Sequence, residues 1–202
     1  MAFYKRKYKN YESYLDHQRE KLGYRIEHLR AKASKRVRNF AENFKDVSPK
    51  IPGPRVLCLA ARLGEEVQAF IELGHAESIG IDLNPGPNNK YVIEGDFHNI
   101  PFSDNEFDCV YCNCLDHAWD LKKISAECAR VIKPNGLLFL DVPFVQNYKN
   151  HNYKKNVKKK NKYESMLWDS LDDVLGLFAE FHEIYDREPS TTHTIKVFLQ
   201  LK

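Results

Sequence analysis

The chain has 202 residues, 43% hydrophobic and 29% charged, which suffices for one well-buried domain with an extension and is too short for two full domains. This profile excludes a disordered chain; no apolar run is long enough to cross a membrane, and the basic, tyrosine-rich start lacks the apolar stretch of a secretory signal, so cytoplasmic residence and no membrane partner are expected. The net charge of +3 is unevenly spread, with +7 over residues 1–46, −6 over 47–146, +7 over 147–163 and −5 over 164–202, a pattern that fits an anionic partner or acceptor, or charge matching within the chain.

From about Tyr8 to Phe44 the pattern is helical. Leu15, Leu22, Ile26, Leu29, Ala33, Val37, Phe40 and Phe44 form one apolar stripe on one long helix, or on two helices broken near Gly23. The stripe can pack on its own domain or on a second subunit, which leaves a homo-oligomer open. Ser48-Pro49 and Ile51-Pro52-Gly53-Pro54 end it, so residues 1–48 read as a basic amphipathic extension and 49–202 as the main domain.

Strands are then expected at Arg55–Ala60, Ser78–Leu83, Tyr91–Glu94, Phe107–Cys112 and Leu137–Val142. Helices are expected at Glu65–Leu73 and Leu121–Val131, the latter ended by Lys133-Pro134-Asn135-Gly136. Strands alternating with helices at this spacing predict right-handed βαβ units around a mostly parallel sheet. Residues 145–163 read as a lysine-rich mobile loop, Met166–Phe178 as a helix, and Phe181–Tyr185 with Ile195–Leu201 as a closing antiparallel hairpin. The five cysteines sit in apolar segments and read as reduced thiols. Cys109, Cys112 and Cys114 lie in a strand-like run without ligand spacing, so no metal is expected.

Open parallel sheets bind ligands at the carboxyl ends of their strands. Four features fall there. Ala60, Ala61, Arg62 and Gly64 form a small-residue turn that opens a helix and offers main-chain amides to a carboxylate. Asp82, followed by Leu83, stands about 20 residues on, where an acid accepts hydrogen bonds from ribose hydroxyls. Asp96 and Phe97 follow the third strand, placed for an exocyclic amine and a flat base. Asn113 to His117 follow the fourth, with Asp116 and His117 as the local acid–base candidates, His98 and Asp141 as weaker ones, and Trp119 as packing or a border of the acceptor site.

These segments resemble the class I S-adenosylmethionine-dependent methyltransferases, in particular the branch known as methyltransferase type 11. The family's V-L-D-L-G-C-G-x-G strand and turn stand here as Val56-Leu57-Cys58-Leu59-Ala60-Ala61-Arg62-Leu63-Gly64. Its G-I-D is Gly80-Ile81-Asp82, its G-D-x-x-x-L-P-F is Gly95 to Phe102, its F-D-x-V is Phe107 to Val110, and its R-V-L-K-P-G-G is Arg130 to Gly136. The resemblance implies an α/β, Rossmann-like class I methyltransferase fold: a mostly parallel seven-stranded sheet with an antiparallel C-terminal hairpin, plus the N-terminal helical extension. It implies S-adenosyl-L-methionine as cofactor, held by Ala60, Ala61, Arg62, Gly64, Asp82, Leu83, Asp96, Phe97 and Asn113. Cys58, Ala60 and Arg62 depart from the pattern, the last standing where the family has its middle glycine; its side chain either turns outward or pairs with the methionine carboxylate.

The acceptor is not legible, and a small-molecule or sugar-type acceptor is favoured because no RNA-binding unit is appended. Two alternatives stay open. One is a catalytically silent interaction module. The other is a nucleic-acid binder using the basic segments, with Lys154, Lys155, Lys158, Lys159 and Lys160 on phosphates and Tyr148, Tyr153 and Tyr163 available for stacking.

Overall fold

Short, mostly apolar runs of three to six residues, bounded by turns, become the parallel strands, the central ones because both faces are covered. In the computed structural model, which describes residues 3–23, 26–143, 163–168, 170–185, 187–189 and 194–202, these are β2 (Val56–Leu59), β3 (Ile79–Asp82), β4 (Val92–Glu94) and β5 (Phe107–Cys112). β1 (Phe3–Lys5) precedes them and β6 (Ile132–Pro143) follows. The later strands are β7 (Met166–Trp168), β8 (Phe181–Glu183), β9 (Glu188–Pro189) and β10 (Thr194–Leu201). The main sheet runs β4-β3-β2-β5-β6-β10-β8, with β9 also on β10. Its pairs from β4 to β6 are parallel, and β10 is antiparallel to both β6 and β8. The expected seven-stranded sheet with a reversed C-terminal hairpin is therefore present.

Helices α1 (Tyr11–Gly23) and α2 (Ile26–Phe44) form the N-terminal arm; α3 (Glu65–Glu72), α4 (Leu121–Val131) and α5 (Leu171–Leu175) follow. Strand alternation divides the core. Leu57, Leu59, Val110, Leu138 and Leu140 face α4 and the region around Trp168 and Phe178. Val56, Cys58, Cys109, Tyr111 and Phe139 face α2 and α3. The end of α2 belongs to that second layer: Phe44 is fully buried and stacks on Phe70 with ring centroids 4.4 Å apart. All five cysteines are buried and unpaired.

Several resemblance motifs hold the frame together. Asp108 accepts from the Arg55 amide (3.0 Å) and from Lys133 Nζ (2.8 Å), tying β2, β5 and β6 at their lower ends. Arg130 donates to the carbonyls of Ile100 (2.9 Å) and Phe102 (2.8 Å), fixing the segment after β4 onto α4. Asp120 caps α4 by accepting from the Lys122 and Lys123 amides.

The expected helix over Met166–Phe178 is corrected. Met166–Trp168 is a strand paired antiparallel with Phe3–Lys5, and only Leu171–Leu175 is helical, started by Ser170 accepting from the Asp172 amide at 3.2 Å. Lys133-Pro134-Asn135-Gly136, read as ending the helix before a strand at Leu137–Val142, lies within β6, which begins at Ile132 and carries a register shift opposite Phe107–Cys109. The lysine-rich stretch 145–163 lies outside the described residues except for Tyr163. Among the described residues no helix is long and apolar enough to cross a membrane.

Candidate functional site

The carboxyl ends of β2, β3 and β5 surround a cavity of about 60 Å³. Its floor and walls are Ala60 and Arg62 after β2, Asp82 and Leu83 at the end of β3, Phe97 after β4, and Asn113, Cys114 and His117 after β5. Its roof comes from the arm: Gln18, Lys21 and Leu22 of α1 and Leu29 of α2.

The turn after β2 keeps a glycine-like path without its first two glycines. Ala60 and Arg62 hold left-handed φ angles of +52° and +48°, and Gly64 one of +83°. Such angles cost a non-glycine residue about 1–2 kcal/mol each, so the surrounding contacts must enforce them. Ala61, between them, is fully buried beneath the turn, and its amide donates to the Ile81 carbonyl at 3.0 Å. Its methyl group lies over Gly80, where an added Cβ would come within 2.6 Å of it.

Asp82 joins the turn to β3. One carboxylate oxygen accepts from the Arg62 amide (3.0 Å) and the other from the Asn84 amide (2.8 Å). Burial pushes its pKa up, with those two amides and the nearby Arg62 and Lys21 charges opposing. Each oxygen keeps a further lone pair, so the carboxylate can still accept from a ligand.

Asp96 lies elsewhere. It does not line the cavity; it accepts from the His98 amide (2.9 Å), from His98 Nδ1 (3.0 Å) and from the Tyr11 hydroxyl of α1. Burial raises its pKa, but the His98 and Tyr11 hydrogen bonds outweigh that and hold it below the usual carboxylate range. The amides of Trp119 and Asp120 donate to His98 Nε2, both at 3.1 Å, which fixes the Nδ1–H tautomer. Tyr8, Tyr11, Tyr14 and Trp119 pack ring to ring above this histidine, and Lys5 Nζ lies 4.6 Å from the Trp119 ring centre.

His117 Nδ1 donates to the Tyr163 carbonyl at 2.9 Å, which leaves Nε2 to accept from Lys21 Nζ at 2.6 Å. Burial lowers the pKa of His117 despite Asp116, whose carboxylate is 3.8 Å from Nε2, so the imidazole is neutral. Burial also lowers the pKa of Lys21 to about 8, with the Arg62 charge adding to it.

Ala60, Arg62, Asp82, Leu83, Phe97, Asn113 and His117 are thus brought together. Ala61 and Gly64 shape the turn from beneath, Asp116 stands beside His117 Nε2, and Asp96 and His98 are engaged by Tyr11. Asp141 faces Asn43 of α2 at 3.4 Å and does not line the cavity. Sequence reasoning missed the roof. Its one available signal was Tyr14, Gln18 and Lys21 at spacings of four and three, a polar row beside the apolar stripe that burial of the stripe would carry inward.

Residues 57–140 match the family model described as a methyltransferase domain. The strand order, the reversed last pair and the cavity at the strand tips decide the architecture. The fold is that of the class I S-adenosylmethionine-dependent methyltransferases. The 1,6-didemethyltoxoflavin-N1-methyltransferase of Burkholderia thailandensis, solved with 1,6-didemethyltoxoflavin and S-adenosylhomocysteine, superposes with a TM-score of 0.71 at 16% identity, over 99% of this chain and 94% of that one. The YcgJ protein of Bacillus subtilis gives 0.58 at 21% identity, over 71% and 69% of the two chains. Among sequence relatives, the sterol 24-C-methyltransferase ERG6B of Gibberella zeae is 30% identical over 43% of this chain and 27% of its own length. The demethylmenaquinone methyltransferase of Renibacterium salmoninarum is 30% identical over 54% and 60%. The chain thus spans between about a quarter and three fifths of the length of these curated relatives.

Proposed function

We propose that this class I methyltransferase domain binds S-adenosylmethionine in the cavity at the strand tips and transfers its methyl group to a small-molecule acceptor. The observation that carries this reading is the turn after β2. Alanine and arginine accept glycine-like backbone angles there, and Asp82 is tied to the same turn by the Arg62 amide. Strain of this kind persists where a function needs the backbone path.

The residues fit the cofactor. Asp82 retains acceptor capacity for ribose hydroxyls, Leu83 and Phe97 offer apolar faces to a flat base, and Ala60 leaves room for close approach. The volume does not fit while the arm is down: about 60 Å³ is far below the roughly 300 Å³ or more that a ligand of this size needs. Admission therefore requires α1, which supplies Gln18, Lys21 and Leu22, to move outward. When bound, the cofactor supplies an electrophilic methyl group, and the protein's task is alignment and exclusion of water. His117 is neutral, and with Lys21 displaced its Nε2 is free to take a proton from an acceptor hydroxyl. A cavity so small and roofed by Gln18, Lys21, Leu22 and Leu29 favours a small acceptor over a nucleic-acid backbone. The relatives' names span a sterol, a quinone precursor and a toxoflavin precursor, so they support methyl transfer without selecting the acceptor.

Calorimetric titration with S-adenosylhomocysteine tests the reading. Binding that Asp82→Ala weakens at least about tenfold supports it, by the loss of charge-assisted hydrogen bonds. No binding, or binding indifferent to Asp82→Ala, would sink it.

A further inference from the structure

Two cations share the cavity, and among the described residues neither forms an ion pair. Lys21 reaches it from α1 and Arg62 from the turn after β2. Arg62 uses its amide and carbonyl in hydrogen bonds, to Asp82 and from Asn89, but among the described residues nothing accepts from its guanidinium. Lys21 donates to His117 Nε2, a neutral acceptor. The carboxylate that lines the cavity, Asp82, is held by two main-chain amides, and Asp116, 3.8 Å from His117 Nε2, acts on Lys21 without forming an ion pair with it. The two positive groups also act on one another, and Arg62 is the chief charge disfavouring the protonated lysine.

A lysine on an amphipathic helix normally lays its stem on apolar surface and sends its head to water. Lys21 does the reverse, directing Nζ inward onto a partly buried imidazole. Drawing one cation out of water towards another is unfavourable unless an anion comes between them. A carboxylate suits the pair: the guanidinium is a planar fork that takes two oxygens, and the ammonium is a point charge that closes the remaining side.

We propose that Lys21 and Arg62 together form a carboxylate-binding subsite, completed when α1, having moved outward to admit the ligand, closes back over it. The proposal rests on the methyl-transfer reading for the place of the site and adds to it the arm as a binding element. Lys21 lies outside residues 57–140, the stretch that matches the methyltransferase family, and Arg62 lies within it, so the subsite joins the extension to the matched domain. Two carboxylates are candidates by chemistry: that of the cofactor's amino-acid tail, and one carried by the acceptor.

The test is calorimetry on the full chain and on Lys21→Met, which keeps the length and apolar stem of the side chain, with thermal melts to check that both are folded. The ligands are S-adenosylhomocysteine, 5′-methylthioadenosine (the same nucleoside thioether without the amino-acid tail) and benzoate. If the tail occupies the subsite, Lys21→Met weakens S-adenosylhomocysteine about tenfold or more and leaves 5′-methylthioadenosine within about twofold. If the acceptor's carboxylate occupies it, both nucleosides bind as in the wild type, while benzoate binding to the S-adenosylhomocysteine-loaded protein drops by a similar factor. Equal weakening of both nucleosides overturns the subsite, as does a variant that binds all three ligands like the wild type. If neither nucleoside binds the wild type, the cofactor reading fails by itself. Benzoate on the free protein then decides the subsite: binding lost in Lys21→Met upholds it, and binding absent or unchanged overturns it.

Discussion

Gly80→Ala is the sharpest test of how the sheet shapes the site. Gly80 sits in β3 beneath the turn after β2, and an added Cβ would meet Ala61 Cβ at 2.6 Å and the Cγ2 atoms of Val67 and Val92 at 3.1 Å each. The first distance is beyond what a real contact sustains, and the atom it meets is rigid, because the Ala61 amide is bonded to the Ile81 carbonyl. Overpacking of this kind costs about 1–3 kcal/mol. Ala61→Gly removes the methyl group it strikes and should by itself cost about 1 kcal/mol in backbone entropy and lost packing. The double variant is then expected to be more stable than the two single costs imply by about 1 kcal/mol or more, a coupling that urea unfolding of the four proteins measures as a non-additive change in midpoint. The same displacement moves Ala60 and Arg62, so Gly80→Ala should also weaken S-adenosylhomocysteine, with Ala61→Gly restoring part of the loss. Additive stabilities, or a Gly80→Ala variant as stable as the wild type, would refute the picture of a turn pressed down on β3.

Two further outcomes follow from buried groups. Glu66, at the start of α3, is 4% exposed and one of its oxygens has no hydrogen-bond partner; burial lifts its pKa to about 7. A raised acid binds its proton more tightly in the folded state, so its contribution is complete below about pH 4.5 and is lost as pH rises through 7. Glu66→Gln should remove on the order of 3 kcal/mol of that decline in a series of unfolding curves between pH 4.5 and 8. Phe44→Ala should cost about 3–5 kcal/mol in urea unfolding, since the ring is fully buried against Phe70 and Tyr111; a loss below about 1 kcal/mol would mean that the arm does not share the domain's core.

The central sheet was legible because its strands are short and mostly apolar, and helices of ordinary length separate β2 from β3 and β5 from β6. Asp82 was legible for a related reason: an acid directly following an apolar strand has few places to be except at its tip. What escaped was decided by distant partners. Met166, Leu167 and Trp168 sit at helix-compatible positions beside Leu171 and Val174, and only pairing with Phe3–Lys5, more than 160 residues earlier, makes them a strand. Asp96 was placed correctly after β4, yet one of its oxygens is engaged by His98 and the other by Tyr11, whose hydroxyl is brought there by the docking of α1. Lys21 was the hardest to find, because a lysine turned inward runs against the tendency on which core prediction rests. Its inward course makes sense only through the groups that surround it after folding.

That inward course has a measurable consequence in protons. In the free protein the Lys21 pKa is lowered to about 8, first by burial and then by Arg62, while Asp116, Cys114 and Asp82 pull it the other way. A carboxylate arriving between Lys21 and Arg62 cancels the repulsion and favours the charged ammonium, so binding must raise that pKa towards the ordinary lysine value. At pH 8.5 the free side chain is mostly neutral, and binding should take up about 0.7 of a proton at this residue. Titrations of S-adenosylhomocysteine in buffers of different ionisation enthalpy read that number directly, and affinity should fall by up to about tenfold per pH unit above 8. His117 does not supply the effect, because its pKa is lowered and it is already neutral in this range. Lys21→Met should abolish both the uptake and the slope. Uptake that persists in the variant would assign the proton to another group, and zero uptake in the wild type would mean that the carboxylate of the cofactor's tail does not meet the ammonium.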